Sequence, residues 1–272
     1  MAAATRATRH EPVRIAPETF AIQHLHGGGH AGLGLYVNSL VIRGREPAII
    51  DTGTPVASGR WLEDVWELVD PADVRWIVVT QDDAGHVGSL GALLARCPRA
   101  TLVASWHVME RLSSRDDLPK ARVRWLLEGE ALDLGDRTLQ SVRPPVYHGP
   151  ATRGFFDSHT GVYWSSDAFG MPVTEHVEDA RALPAETRRE QLEAFGLKLA
   201  PWARDVGPRY WAASVARVRA LDPQVIAGVH GPAFRGGAVE HALDVYAALR
   251  EAPGPRTAEL EAINQVVEAL TE

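Results

Sequence analysis

The chain has 272 residues, 45% of them hydrophobic and 23% charged, and a formal net charge of -7 at pH 7. This length allows one large α/β domain or two small ones, and we favour a single domain spanning residues 1–272. The acidic balance and the scattered basic residues argue against a nucleic-acid-binding protein and favour a small-molecule ligand. The single cysteine, Cys97, excludes an internal disulfide and a cysteine-based zinc knuckle, which fits a reducing cytoplasm.

The N-terminal residues lack the pattern of a secretory signal. Arginines occur there, but no apolar segment follows them, so residues 1–12 are predicted to form a flexible tail. No run of about 18 apolar residues occurs anywhere in the chain, so we expect no membrane association. Together these features predict a cytoplasmic protein.

The first half of the chain alternates strand and helix signals. Two β-branched runs in "GLYVNSLVIRGREPAIIDTG", joined by a turn at 43–46, predict a hairpin. The segment "SGRWLEDVWELVD" has an apolar helical face and predicts a helix with Ser58 as its cap. A strand follows at "VRWIVVT", then a helix that begins near His86, a strand at "ATLVAS" and a helix at "WHVMERLSS". This βαβα order predicts a sheet covered by helices.

The second half of the chain has a different pattern. Short strands and glycine turns between 121 and 142 indicate more antiparallel pairing, and "GVYWSSDAFG" and "PQVIAGVHGPAF" predict two further strands. Residues 184–221 between them are mostly helical in pattern and are expected to form a cap over one edge of a site. The last helix is a candidate to pack against a second subunit in a homodimer, with docking on its own chain as the alternative.

Four predicted strands are each followed by an imidazole or carboxylate side chain and then by a nearby glycine. In chain order these side chains belong to Asp83, His86, His148, Asp167 and His230. Ligands of α/β sheets bind where strands end, so we expect these groups to converge. Imidazole and carboxylate suit iron, zinc and manganese, and a carboxylate can bridge two ions. The set therefore predicts a site for one or two divalent transition metals.

Three stretches of the sequence carry a family resemblance: the predicted hairpin and the strand ends that bear Asp167 and His230. "YVNSLVI" followed by "AIIDTG" is similar to a Tyr-Asn-Ser-Tyr strand and an Ile-Asp-Thr turn, "WSSDAFG" to Phe-Ser-Ser-Asp-Ala-Phe-Gly, and "VHGP" to Ser-His-Gly-Pro. The motifs that these stretches resemble are those of the metallo-β-lactamase fold superfamily, in its branch of flavodiiron proteins and stand-alone oxygen-binding di-iron relatives. The resemblance covers nearly the whole chain. It implies an αββα sandwich with a dinuclear site between two sheets.

The first metal motif of that branch, His-x-Glu-x-Asp-His-x-Gly, is altered in this chain. Gln81, Asp83 and Gly85 stand at its first three ligand positions, and only His86 is kept. Two divalent ions are implied as cofactors, with iron expected and zinc or manganese as alternatives. By position, the implied ligands are Gln81, Asp83 and His148 for one ion, His86 and His230 for the other, and Asp167 as the bridge.

Structural explanations for the same residues stay open. Asp83 and His86 could be ordinary N-terminal helix residues, with the carboxylate complementing the helix dipole. His148, Asp167 and His230 could be hydrogen-bonded polar residues of a site that has lost its metal. Two altered ligands are also what decay to a metal-free scaffold would produce.

A histidine-rich loop, "HLHGGGH", lies before the hairpin. Its composition is typical of metal tracts, but three glycines and the spacing of the histidines suit no single helix face. The resemblance makes His26 a candidate pocket residue, whereas His24 and His30 are expected to be solvated. His176, shortly after "DAFG", is a second candidate for the pocket.

Two classes of enzyme and one class of binding protein compete as functions. Because the chain ends at Glu272 and has no glycine-rich flavin fingerprint, we expect no flavin bound by it. The favoured hypothesis is a di-iron protein that binds or activates dioxygen, as an oxidoreductase with an external electron donor. The alternatives are a metal-dependent hydrolase of an ester, thioester or related bond, and a non-catalytic binding protein with a decayed site.

Overall fold

The computed structural model describes residues 8–27, 32–115, 118–254 and 257–269. The strands in these ranges are β1 (Thr8–Arg9), β2 (Val13–Ala16), β3 (Thr19–Gly27), β4 (Gly34–Ile42), β5 (Ala48–Ile50), β6 (Trp76–Val78), β7 (Thr101–Ala104), β8 (Val123–Trp125), β9 (Ala131–Asp133), β10 (Thr138–Val142), β11 (Gly154–Asp157), β12 (Val162–Trp164), β13 (Val225–Ala227) and β14 (Phe234–Arg235). The α-helices are α1 (Ser58–Leu68), α2 (Ala84–Val87), α3 (Leu90–Arg96), α4 (Trp106–Arg115), α5 (Ala185–Leu199), α6 (Pro208–Arg219), α7 (Gly237–Ala248) and α8 (Thr257–Ala269).

The strands form two sheets. The first has the order β1-β3-β4-β5-β6-β7-β8, with β2 paired to β3, and its strands β5 to β8 are parallel. The second has the order β14-β13-β12-β11-β10-β9 and is antiparallel except between β12 and β13. The hairpin of β4 and β5, the βαβα order and the more antiparallel second half are therefore confirmed.

Alternation of side chains along the strands produces the layers. In the first sheet, Val41, Ile49 and Ile77 pack with residues of α1, α3 and α4, while their neighbours Leu40 and Ile50 pack toward the second sheet. The outer face of the second sheet packs against α5, α6 and α7. Each fully buried isoleucine contributes about 1.5–3 kcal/mol to folding. The result is the predicted αββα sandwich, with one apolar layer between the sheets and one under each set of helices.

Segment 184–221 is mostly helical, as expected, since it contains α5 and α6. In α8, Ile263 and Val266 are buried in the apolar layer between the sheets, so this helix docks on its own chain. A homodimer stays a prediction. Among the described residues, no helix is both long and apolar enough to cross a membrane.

Three local expectations are corrected. The predicted tail is structured from residue 8 onward, because β1 pairs with β3 and Arg9 bonds Asp64. Residues 1–7 lie outside the described part. Ser58 does not cap α1 but is its first residue, and its hydroxyl accepts a hydrogen bond from Ser89. The helix expected to begin near His86 is instead two helices, α2 and α3, separated at Gly88 and Ser89.

Candidate metal centre

The predicted strand ends meet at one edge of the sandwich. His86 Nε2 lies 3.0 Å from Asp167 Oδ1, and His230 Nε2 lies 3.1 Å from the same oxygen. On the other side of Asp167, the side chains of Asp83 and His148 approach each other to 2.6 Å. Two groups of possible ligands result, His86 with Asp167 and His230, and Asp83 with His148 and Asp167. The first group is the more buried.

His86 is held by polar groups behind its ring. It lies in α2, which is fixed where the Thr52 amide and hydroxyl donate to the His86 carbonyl. Its Nδ1 lies 3.2 Å from Asp51 Oδ1 and 2.9 Å from the Thr80 hydroxyl. A neutral imidazole whose Nδ1–H faces a carboxylate keeps a lone pair on Nε2. His86 directs its Nε2 toward Asp167, and in the neutral form of the ring this nitrogen can ligate a metal.

The ring of His230 is oriented in the same way, with Nδ1 toward a backbone or carboxylate acceptor and Nε2 toward Asp167. Its Nδ1 donates to the Tyr36 carbonyl at 2.8 Å, and because a carbonyl only accepts, Nδ1 must carry the proton. The loop that carries His230 is tied to β4 by the Asn38 amide group, which donates to the carbonyls of Gly228 and Gly231 at 3.0 and 2.7 Å. The "YVNS" segment therefore holds the loop from the neighbouring sheet.

Asp167 lies in a tight turn after β12. Ser166 and Phe169, on either side of it, have φ values of 57° and 60°, which are left-handed conformations unusual for these residues. The Tyr246 hydroxyl accepts the Phe169 amide at 2.6 Å, and the Ser165 hydroxyl donates to the Ala168 carbonyl. Strain of this kind persists where surrounding contacts over-determine the backbone, and it is typical of functional sites.

Gln81 lies between the two groups. Its Oε1 accepts the Thr152 hydroxyl at 2.9 Å. Its Nε2 lies 2.5 Å from Asp167 Oδ2, 3.1 Å from Asp83 Oδ2 and 2.9 Å from His86 Nε2. The amide oxygen thus points away from the site and the amide nitrogen points into it.

The charges in the cluster reinforce one another. Burial lowers the pKa of His86, but the charges of Asp51 and Asp167 outweigh burial and raise it well above its ordinary value. Burial likewise opposes ionisation of Asp167, yet His86 and His230 hold the pKa of that carboxyl well below its usual range. In the metal-free protein the site is therefore a buried imidazolium–carboxylate cluster. A cation that displaces the imidazolium proton meets a carboxylate that is already ionised.

Comparison with known proteins identifies the family. A family model described as "ODP family beta lactamase" matches residues 36–231, which is most of the chain. The chain belongs to this family. A diflavin flavoprotein A 1 from Thermosynechococcus vestitus is 29% identical over 235 residues, which cover 81% of this chain and 39% of that protein. The chain thus spans about two fifths of this curated relative.

Two solved structures share the fold of this chain. The rubredoxin oxygen:oxidoreductase of Desulfovibrio gigas has a TM-score of 0.75 and 19% identity, covering 89% of this chain and 62% of that one. The flavodiiron protein of Giardia intestinalis has a TM-score of 0.77 and 18% identity, covering 90% and 61%. At these identities the likeness establishes the fold, a metallo-β-lactamase-type αββα sandwich.

In this member of the ODP family, His24 of the histidine-rich loop differs from expectation, and the place of His26 in a pocket stays a prediction. His24 is not solvated: it is 2% exposed, and its Nε2 pairs with Asp64 at 2.8 Å. His30 lies outside the described residues. His26 is 1% exposed, and its Nε2 has no hydrogen-bond partner among the described residues. Burial first, and then the charges of His24 and His230, lower the pKa of His26 to about 4.

His176 lies beside the centre rather than in it. Its Nδ1 bonds the Tyr36 hydroxyl at 2.9 Å, and its ring stacks on His10 with centroids 3.5 Å apart. Because the Tyr36 carbonyl also holds His230, Tyr36 links the two histidines. A place for His176 in a substrate pocket stays a prediction.

Sequence reasoning missed the residues that support the ligands. Asp51 was recognised only as part of a turn, although a carboxylate directly after β5 is the same pattern that identified the ligands. Thr80, Thr152 and the Tyr36 carbonyl had no signal in the sequence, because their roles depend on partners far along the chain. On the other side of the centre, the ring of Phe195 in α5 lies 5.5 Å from that of His230.

Proposed function

We propose that this chain binds iron at the cluster around Asp167 and binds or activates dioxygen there, as an oxidoreductase supplied with electrons by an external donor. Membership of the ODP family and the structural likeness to a rubredoxin oxygen:oxidoreductase and a flavodiiron protein support the class of reaction. The observation that carries the proposal is the convergence of His86 Nε2 and His230 Nε2 on one oxygen of Asp167.

The donor set fits a divalent transition metal. Two imidazoles and one carboxylate, with open positions, form the ligand set typical of non-haem iron sites that use dioxygen. His86 and His230 each have an acceptor behind Nδ1, which leaves both Nε2 atoms free to ligate. Iron held there would supply one-electron redox chemistry and an open coordination position.

The surrounding residues bind, orient and exclude water. Asp51 and the Tyr36 carbonyl fix the two imidazole rings, so the ligand geometry exists before any metal arrives. Phe195 in α5 covers the His230 side with an apolar ring, in keeping with a cap formed by residues 184–221. The opposite side opens through a depression of about 230 Å³ lined by Gln81, Asp83, His148 and Thr152, among others. We propose this opening as the route for dioxygen or another small substrate.

The test combines metal content with oxygen consumption. Protein purified without added metal is analysed for iron, zinc and manganese. It is then reduced anaerobically, freed of excess reductant and mixed with a known amount of dioxygen. We expect iron to predominate and dioxygen to be consumed in proportion to the iron, while a His230→Ala variant consumes none above background.

Other results would contradict the proposal. Zinc as the bound metal, together with ester or thioester hydrolysis that His230→Ala abolishes, would favour the hydrolase. No binding of any of the three metals, even after supplementation, would leave a metal-free binding protein.

A further inference from the structure

Resting on the metal site just proposed, we infer that the chain holds a single cation at His86, Asp167 and His230, and that the side-chain amide of Gln81 takes the place of a second ion. The donor groups present do not fit a dinuclear centre. The argument depends on which way the Gln81 amide faces, on how Asp167 divides its two oxygens, and on the charge of the cluster.

The orientation of the Gln81 amide is fixed by its neighbours. Reversing the amide would place its carbonyl oxygen 2.5 and 3.1 Å from oxygens of Asp167 and Asp83, which are all acceptors and repel one another. In the orientation present, Nε2 donates to both carboxylates while Oε1 accepts from Thr152. Gln81 therefore presents two N–H donors to the site, and an N–H donor cannot ligate a metal ion.

Asp167 divides its oxygens between the two halves of the site. Oδ1 is the oxygen that both His86 Nε2 and His230 Nε2 approach, at 3.0 and 3.1 Å. Oδ2, the oxygen that a bridging carboxylate would offer to another ion, accepts the Gln81 amide at 2.5 Å. When a cation replaces the proton on His86 Nε2, the two amide hydrogens of Gln81 remain on Asp83 and Asp167. The amide and one cation are therefore compatible.

The remaining donors of the other half are already paired. His148 Nδ1 and Asp83 Oδ2 lie 2.6 Å apart, with side chains 60% and 48% exposed. The same Asp83 oxygen also accepts the Gln81 amide. A second ion would have to break this pair and turn the amide around, and it would gain an amide oxygen, which suits magnesium or calcium better than iron.

Charge also favours one ion. Asp51 and Asp167 are 0% and 1% exposed, and their two negative charges balance one divalent cation. A second divalent ion would have only Asp83, since Gly85 and Gln81 are neutral. At this half-exposed position solvent screens the attraction of that one carboxylate, so a second ion would be held more weakly than the first.

The chain offers a direct test by restoring donors. In Gln81→His an imidazole replaces the amide. Position 85 accepts a side chain, because its backbone is not left-handed and a Cβ there would meet only Val37 Cγ1, at 3.6 Å. Gln81→His and the double variant Gln81→His/Gly85→Asp are therefore both suitable. Gln140→His, on the exposed side of β10, is the matched control.

Anaerobic titration with Co²⁺, followed by its visible absorption, counts the sites, and elemental analysis after gel filtration checks the count. We expect saturation at one Co²⁺ per chain for the unmodified protein and for Gln140→His. Saturation should double to two per chain for Gln81→His or the double variant. Circular dichroism of each variant confirms that it is folded.

Two results would overturn the inference while leaving the proposed function intact. One is saturation at two Co²⁺ per chain in the unmodified protein. The other is saturation at one in both folded donor-restoring variants, because something other than the amide would then exclude the second ion. Failure of the unmodified protein to bind Co²⁺, Fe²⁺ or Zn²⁺ would instead overturn the metal site itself.

Discussion

Replacing Asp51 by asparagine should weaken metal binding without removing any ligand. Asp51 has a φ of 59°, a left-handed conformation that asparagine tolerates well, so the backbone should be unchanged. The carboxylate accepts from the Thr80 amide at Oδ1 and from the Trp164 indole at Oδ2, each at 2.9 Å. It also lies 3.2 Å from His86 Nδ1. In either orientation of an asparagine side chain, its NH₂ group would face an N–H donor, either the Thr80 amide or the Trp164 indole.

The size of the effect follows from this conflict. One buried donor loses its partner, which costs about 1–3 kcal/mol. The His86 imidazole also loses the carboxylate that fixes its tautomer, and changes of this kind lower metal affinity about 10- to 100-fold. A factor of 10 to 100 in Kd corresponds to about 1.4–2.8 kcal/mol, so the two estimates agree.

The assay is competition for the metal against a chromophoric chelator, with unfolding in urea measured on metal-free protein. Asp157→Asn is the control. Asp157 is also buried, lies on β11 away from the centre, and accepts hydrogen bonds from Arg137 and Thr160. We expect both variants to lose stability and only Asp51→Asn to lose metal affinity. Equal affinity in the two variants, within about twofold, would refute the role assigned to Asp51.

Three further predictions concern the ligand histidines, the buried His26 and the glycine between α2 and α3. His230→Ala should lower metal affinity by more than about 100-fold, beyond the range for supporting residues, whereas His148→Ala should retain one ion per chain in equilibrium dialysis. Because burial lowers the pKa of His26 to about 4 from 6.5, protonation favours the unfolded chain, so stability should fall as the pH drops from 6.5 toward 4. In urea unfolding, the wild type should lose about 3 kcal/mol more than His26→Gln over that range. Gly88→Ala, whose Cβ would collide with adjacent backbone, should destabilise by about 3 kcal/mol in urea unfolding, and Gly85→Ala by much less.

Controls for these variants depend on burial. His24→Ala is a poor control for metal loss, since His24 is buried against Asp64 and its removal leaves a carboxylate without that partner. His107→Ala is suitable, because that side chain is 54% exposed on α4. Loss of the ion in His148→Ala, a pH profile of the wild type that matches His26→Gln, or equal stability of the two glycine variants would each contradict its prediction.

The layers of the fold were predictable from sequence because they follow from local patterns. The β4–β5 hairpin came from two β-branched runs and a turn, and α1 from its apolar face, both of which depend on neighbouring residues. Helix boundaries were less predictable. The break between α2 and α3 arises where Gly88 packs directly on the backbone of Thr54, a contact between segments more than 30 residues apart.

The same distinction separates the ligands from their supports. His86, Asp167 and His230 were found because each follows a buried strand and closely precedes a glycine, which is a local signal. Asp51 could be quoted but not given a role, because its partner His86 is set by the parallel pairing of β5 with β6. The solvated state expected for His24 was wrong for a related reason. Adjacent glycines suggest a mobile loop, but strand pairing of β3 extends through His24 and places it against α1.

The identity of residue 81 as glutamine does not determine whether its side chain acts as a metal ligand or as a hydrogen-bond donor. As a letter in a metal motif, glutamine is a weak oxygen ligand and suggests a poorly occupied site. In the folded chain the same side chain is a donor, because Thr152, 71 residues away, holds its oxygen while two carboxylates attract its nitrogen. A neutral amide that satisfies two carboxylate oxygens performs part of the structural role of a cation. The substitution is therefore compatible with a preorganised site of different stoichiometry, and a count of bound ions distinguishes that site from a decayed one.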